Sequence, residues 1–84
     1  MFKVYCLISE KSPKFHYFGF TQDLSVRLKT HQAGQVKSTK AFLPLDLLGF
    51  REFSTLEAAI KFEKDLKSKY RVRKKFINDL LINS

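Results

Sequence analysis

The chain has 84 residues, which suffice for one domain over residues 1–84 and are too few for two. A hydrophobic fraction of 44%, with nine Phe and three Tyr, indicates a globular domain and excludes a disordered chain. Sixteen Lys and Arg against eight Asp and Glu give a net charge of +8, which attracts nucleic acid, anionic membranes or acidic proteins. Because no segment approaches the roughly 18 apolar residues of a membrane span and the start has no signal-peptide layout, we expect a cytoplasmic protein.

The first part of the chain predicts a β-hairpin. Phe2–Ile8 and Phe15–Phe20 are rich in aromatic and β-branched residues, and Ser9–Lys14 between them contains turn-forming residues. Gly19 inside the second strand indicates either a bulge or a backbone that another group approaches closely. Cys6, the single cysteine, lies in an apolar run, so we expect a core side chain and no disulfide.

The rest of the chain predicts three helices and a third strand. Thr21 or Asp23 can cap a helix that runs to about Ala33 and ends at Gly34. The later elements are an irregular stretch over residues 35–45 with Pro44, a strand at Asp46–Phe53, a helix that begins at Ser54 or Thr55 with Glu57 and runs to about Ser68, and a helix at Arg71–Leu81. The order β-β-α-β-α-α predicts an α+β domain with a small antiparallel sheet covered by helices.

Glu63 is a carboxylate in an apolar stripe. The stripe of the helix ending near Ser68 consists of Leu56, Ala59, Ile60, Phe62 and Leu66, and Glu63 falls within it at helical spacing. A carboxylate on this side must be paired, protonated or bound to a cation, and its oxygens suit Mg²⁺ or Mn²⁺. The alternative is a Glu at the edge of the stripe that forms an ion pair with a nearby Lys.

Two further pairs place polar groups near the predicted sheet. Arg27 and His31 are four residues apart and share one helix face beside Leu24 and Leu28, so they can bind a phosphate and move a proton, unless they form a solvated flank. Tyr5 and Tyr17 lie directly opposite each other if Ile8 pairs with Lys14, and both hydroxyls then emerge from one face. A one-residue slip separates them onto two faces, and the alternative is two ordinary sheet tyrosines.

Together these side chains are a set suited to phosphodiester hydrolysis. Glu63 would hold a metal ion that stabilises the leaving oxygen, and Arg27 would offset charge on the scissile phosphate. A Tyr or His would help to deprotonate the attacking water.

These residues also stand in motifs. The motifs are Lys3-Val4-Tyr5, Tyr17-Phe18-Gly19, the Arg27–His31 run Arg-Leu-Lys-Thr-His, the Lys37–Lys40 segment with Gly34 and Pro44, and Glu57-Ala58 with Glu63-Lys64-Asp65-Leu66-Lys67. Over about residues 2–76 the chain resembles the GIY-YIG nuclease superfamily, especially its small standalone bacterial members. The first motif keeps only the Tyr of Gly-Ile-Tyr, whereas the second is close to Tyr-Ile-Gly.

The resemblance implies a three-stranded antiparallel sheet flanked by helices, water attack on DNA, and one Mg²⁺ or Mn²⁺ on Glu63, with no organic cofactor. By position, Tyr17 would activate the water, with Tyr5 assisting, Arg27 binding the phosphate and His31 handling a proton. Gly19 would be structural. Many members carry an Asn about twelve residues after the metal-binding Glu, where this chain has Lys75. Asn78 is out of phase and is left out of the site.

The basic tail predicts phosphate contacts that do not read sequence. The expected nucleic-acid-binding residues are Lys37, Lys40, Lys67, Lys69, Arg71, Arg73 and Lys74. Binding modes left open are weak sequence-independent binding, a preference for DNA shape, and a homodimer on the duplex. The expected function is a metal-dependent endonuclease in DNA repair or recombination. The alternatives are an inactive nucleic-acid-binding module of the same fold and a basic domain that binds a protein partner.

Overall fold

The computed structural model describes residues 1–82 and contains a sheet and three helices. The elements are β1 (Phe2–Ser9), β2 (His16–Thr21), α1 (Leu24–Gln32), a short 3₁₀ turn (Lys40–Phe42), β3 (Leu45–Phe53), α2 (Leu56–Ser68) and α3 (Tyr70–Ile82). The strands form one antiparallel sheet in the order β2-β1-β3. The predicted α+β class, the element order and the three-stranded sheet are therefore confirmed.

The central strand β1 is buried on both faces, and its alternating side chains divide the core in two. Val4 and Cys6 face α2 and α3, where Phe18, Leu66 and Phe76 complete an apolar cluster. The other face carries Tyr5 and Leu7 together with Leu45, and Leu24 and Leu28 of α1 pack against them. Cys6 is fully buried, as predicted, and burial raises the pKa of its thiol to about 12. The polar side chains that are candidates for catalysis lie on the second face, the face that carries Tyr5.

The pairing of β1 with β2 differs from the predicted register by two residues. Tyr5 pairs with Gly19, and Tyr17 pairs with Leu7, so the two tyrosines are not directly opposite each other. The turn is longer than predicted because Ser9 Oγ accepts hydrogen bonds from the amides of Lys11 and Ser12, both at 3.1 Å. A shift of two residues preserves the face, so both tyrosines still lie on the same side of the sheet.

Local signals explain where the helices begin and end. Asp23 caps α1 by accepting a hydrogen bond from the amide of Val26 at 3.1 Å, and Thr55 caps α2 in the same way. Gly34 ends the turn after α1 at a φ of +74°, a conformation that favours glycine. Leu56 is 39% exposed, so the buried stripe of α2 begins at Ala59. Among residues 1–82, no helix has the length and apolar character that a bilayer crossing requires.

Candidate active site

Four polar side chains form a chain of hydrogen bonds between α1, β1 and the segment before β3. Arg27 Nε donates to the Tyr5 hydroxyl at 3.3 Å, and that hydroxyl lies 2.9 Å from His31 Nε2. The other ring nitrogen, His31 Nδ1, lies 2.8 Å from Thr39 Oγ1. Tyr5, His31 and Thr39 are all 0% exposed, and Arg27 is partly exposed. The structure therefore brings together three of the residues expected in the site.

Burial and proximity to Arg27 determine the protonation states of these hydrogen-bonded side chains. Burial raises the pKa of the Tyr5 hydroxyl, although the hydrogen bond from Arg27 acts in the opposite direction. Burial and the charge of Arg27 lower the pKa of His31, while the hydrogen bond to Tyr5 raises that of Arg27. At neutral pH the tyrosine and the imidazole are therefore uncharged, and the guanidinium is the cation of the group.

Gly19 provides the space that the Tyr5 ring occupies. A Cβ atom at residue 19 would lie 2.6 Å from the Tyr5 hydroxyl oxygen and 2.8 Å from Cζ. Of the two readings of Gly19, close approach is the correct one, because β1 and β2 pair without interruption there. The bulge lies on the other side of β1, where Cys6 pairs with Gly49 and Leu7 with Leu47.

Tyr17 lies above the buried chain and links it to α2. Its ring centroid is 5.2 Å from that of His31 and 6.4 Å from that of Tyr5, and it keeps partial exposure. Lys67 Nζ lies 6.0 Å from the Tyr17 ring centroid and 3.2 Å from Glu63 Oε1. The accessible part of the group therefore consists of Tyr17, Arg27, Glu63 and Lys67, whereas Tyr5 and His31 lie beneath them.

Glu63 is largely shielded, with a side chain that is 17% exposed. Burial is the main cause of the raised pKa of Tyr5, and the negative charge of Glu63 adds a smaller contribution in the same direction. The alternative raised by the sequence, an ion pair with a nearby Lys, is present, and the partner is Lys67 one turn later.

Comparisons with known proteins agree with this arrangement. Residues 1–76 match the profile of a family described as "GIY-YIG catalytic domain". The chain belongs to the GIY-YIG family. It is also 42% identical, over 73% of this chain and 67% of each relative, to UPF0213 proteins of Streptococcus pyogenes serotype M5 (strain Manfredo) and serotype M28 (strain MGAS6180). No solved structure matches at a significant level. Membership of this family implies nuclease activity in general, with a nucleic-acid substrate.

A basic cleft of about 530 Å³ opens between β2 and the two C-terminal helices. Its lining includes Lys14, Lys67, Arg73 and Lys74 and contains no carboxylate. Tyr70, which is 64% exposed, stands at its edge with Arg73 and Lys74 near its ring. Lys67 lines the cleft and also pairs with Glu63, so this one side chain contacts both.

The structure divides the seven expected nucleic-acid-binding residues into groups. Lys67, Arg73 and Lys74 line the cleft, although Arg73 also donates to the carbonyl of Leu66 at 3.0 Å. Lys69 pairs with Asp65, and the remaining three residues lie outside the cleft, Lys37 and Lys40 before β3 and Arg71 on α3.

The sequence did not predict the positions of two polar side chains, Thr39 and Asn78. Thr39 holds His31 from the side opposite Tyr5, and the only signal for it was its place in the Lys37–Lys40 segment. Asn78 lines the cleft, whereas Lys75, at the position of the expected Asn, pairs with Asp79 at 3.2 Å.

The cleft is expected to contact the nucleic-acid backbone. Lys74→Ala should weaken DNA binding independently of sequence and reduce the slope of log affinity against log salt by about 1, because one phosphate contact is lost. Fluorescence anisotropy with a labelled oligonucleotide in EDTA, over a series of KCl concentrations, measures both effects. Lys61→Ala is the matched control, since Lys61 pairs with Asp65 and lies outside the cleft. Equal losses in the two variants would contradict a specific role of the cleft.

Proposed function

We propose that the chain is a divalent-metal-dependent endonuclease that hydrolyses phosphodiester bonds in DNA and acts in DNA repair or recombination, with a preference for DNA structure. The observation that carries this proposal is the joining of Arg27, Tyr5 and His31 in one hydrogen-bonded group packed against Tyr17, with Lys67 between Tyr17 and Glu63. A basic cleft beside that group supplies the means to hold a polyanion.

The residues present fit a hard divalent cation. Glu63 offers carboxylate oxygens in a partly shielded position, and no group of three or more metal-binding side chains occurs among residues 1–82. Mg²⁺ suits such a site because it keeps several waters and binds through one or two carboxylates together with substrate phosphates. When bound, the ion supplies positive charge that stabilises the leaving oxygen. Lys67, which is 52% exposed, would share the carboxylate with the ion or turn to the phosphate.

The other side chains of the site have separate roles in binding the phosphate, activating water and positioning these groups. Arg27 uses Nε to bond Tyr5 and also interacts with the Tyr17 hydroxyl, and its partly exposed guanidinium is the candidate for binding the scissile phosphate. Tyr17 is the partly exposed tyrosine and is the candidate for activating water, and Lys67 Nζ lies 6.0 Å from its ring centroid. Tyr5 and His31 are fully buried and therefore act as positioning residues that hold Arg27 and support Tyr17.

A cleavage assay tests this function. Purified protein is incubated with duplex, branched and single-stranded DNA in Mg²⁺, in Mn²⁺ and in EDTA, and products are resolved on denaturing gels. We expect cutting in either metal ion and none in EDTA. Arg27→Ala, purified in parallel, should lose roughly 100- to 1,000-fold in rate, the loss typical of removing one group that stabilises transition-state charge.

The same assay separates the alternatives. If the protein binds DNA in a salt-dependent manner but cuts no substrate in either metal ion, the nucleic-acid-binding module is the correct reading. If it neither cuts nor binds at physiological salt, the basic surface serves a protein partner. Equal cutting by Arg27→Ala and the unsubstituted protein would indicate a contaminating nuclease.

A further inference from the structure

The direction of each hydrogen bond in the buried chain follows from which atoms can donate. The Tyr5 hydroxyl is fully buried, so its proton requires a protein acceptor. Its hydrogen-bond neighbours are Arg27 Nε and His31 Nε2, and a guanidinium has no acceptor atom. The Tyr5 proton therefore points at His31 Nε2, and that nitrogen carries no proton.

The directions of the remaining hydrogen bonds, those of His31 and Thr39, are then determined. A neutral imidazole has one proton, so His31 carries it on Nδ1 and donates it to Thr39 Oγ1 at 2.8 Å. The Thr39 hydroxyl donates its own proton to the carbonyl of Val36 at 3.4 Å, an oxygen that can only accept. Every donor thus has an acceptor, in agreement with the absence of unpaired buried side-chain N and O atoms in residues 1–82.

We infer that Thr39 is a positioning residue of this nuclease site, which accepts the Nδ1–H proton of His31 and thereby stabilises the tautomer that receives the Tyr5 proton and leaves the Tyr5 oxygen to accept from Arg27. The two partners of this imidazole are the Tyr5 and Thr39 hydroxyls, and Thr39 Oγ1 accepts the proton that Tyr5 leaves on Nδ1. The kinetic consequence rests on the proposed function, whereas the hydrogen-bond directions do not.

The opposite tautomer would disconnect Arg27. With its proton on Nε2, His31 would donate to the Tyr5 oxygen, and the buried Tyr5 proton would have no acceptor. That proton would then face the Nε–H of Arg27, since the Tyr5 oxygen has these two neighbours. The guanidinium would lose its hydrogen bond to Tyr5, one of the two tyrosines that hold it. We therefore expect the loss of Thr39 Oγ1 to lower kcat more than it raises KM.

The test begins with the tautomer itself. Long-range ¹H–¹⁵N correlation spectra of ¹⁵N-labelled protein show which imidazole nitrogen carries the proton. We expect Nδ1–H for His31 in the unsubstituted protein and in Thr39→Ser, and a measurable population of Nε2–H in Thr39→Val, which keeps the shape but lacks the oxygen that accepts from Nδ1. His16 is the other histidine, and the His16→Gln spectrum assigns the two rings. A proton on Nε2 of His31 in the unsubstituted protein would overturn the inference.

Cleavage kinetics test the positioning role. Thr39→Val should reduce kcat by about 10- to 100-fold, the range found for groups that orient the residues of a metal site, and Thr39→Ser should restore most of the rate. Thermal unfolding checks that both variants fold; if Thr39→Val does not, the spectra of the unsubstituted protein and Thr39→Ser still decide. A tautomer shift with an unchanged kcat would refute the positioning role. If the unsubstituted protein cuts no DNA, the proposed function fails while the spectra still decide the hydrogen-bond directions.

Discussion

Glu63→Gln is expected to reduce metal-dependent DNA cleavage by roughly a thousandfold or more, because the several kcal/mol of charge stabilisation supplied by a bound metal ion would be lost. The amide keeps the size of the side chain but lacks the negative charge that retains a divalent cation. Initial rates in Mg²⁺ and Mn²⁺, and the affinity for Mn²⁺ by titration calorimetry in the presence of DNA, measure the effect. DNA binding in EDTA should persist, since the cleft residues are unchanged.

The control for this substitution lies on the same helix. Glu57→Gln removes a carboxylate from the exposed first turn of α2 and should leave cleavage unaffected. Glu63→Gln also removes the ion pair with the half-exposed Lys67, which should alter the free energy of unfolding by less than about 1 kcal/mol. A folded Glu63→Gln protein that cuts DNA at the original rate would show that Glu63 does not hold the metal ion.

Gly19→Ala is expected to impair both stability and cleavage. The added Cβ would lie 2.6 Å from the Tyr5 hydroxyl oxygen and 2.8 Å from Cζ, atoms fixed within a fully buried ring. The ring must shift, and overpacking of this kind costs about 1–3 kcal/mol of unfolding free energy. The displacement would also separate the Tyr5 hydroxyl from Arg27 and His31, so we expect at least a tenfold loss of cleavage at temperatures where the variant is folded.

Gly49→Ala is the matched comparison for crowding alone. Its Cβ would lie 2.7 Å from a terminal methyl of Leu80, an end group that can rotate away, on the face remote from Tyr5. Chemical denaturation should therefore show a smaller loss of stability than for Gly19→Ala, and cleavage should be retained. If the two variants lose equal stability and equal activity, the contact between Gly19 and Tyr5 has no special role in the site.

The elements could be predicted because their signals are local. Asp23 and Thr55 cap their helices through amides three residues later, and Gly34 ends the first helix at positive φ. Burial of Cys6 followed from an apolar run in the middle of a strand. The grouping of Arg27 with His31 followed from the helical period, because residues four apart share a face.

The register of the hairpin could not be predicted because a distant contact takes part in it. Ser9 closes the turn with its hydroxyl, and that hydroxyl also donates to the carbonyl of Phe42 at 2.7 Å, 33 residues away. No pattern within residues 2–21 contains this information. The same limit applies to Thr39, because its hydrogen bond to His31 depends on how the segment before β3 folds back over α1.

The degree of burial of each site residue was the other feature that the sequence could not predict. Periodicity placed Tyr5 and His31 on the correct side of their elements, but it did not distinguish full burial from partial exposure. The division into accessible Tyr17 and Arg27 above buried Tyr5 and His31 required the packing of α1 on the sheet. The pairing of Glu63 with Lys67 was one of two readings that the sequence left open.

The attachment of α1 has a consequence for local unfolding. This nine-residue helix is held to the sheet by Leu24 and Leu28, by the bond between His31 and Tyr5, and by the Gln32 side chain on the backbone of Leu45. Short elements that few contacts secure open more readily than a core. Since Arg27 and His31 lie on α1 and bond Tyr5 on β1, molecules in which α1 has undocked also lack these bonds of the candidate site. Amide exchange in α1 would therefore slow when a phosphate ligand binds, without any change in the exchange of β1.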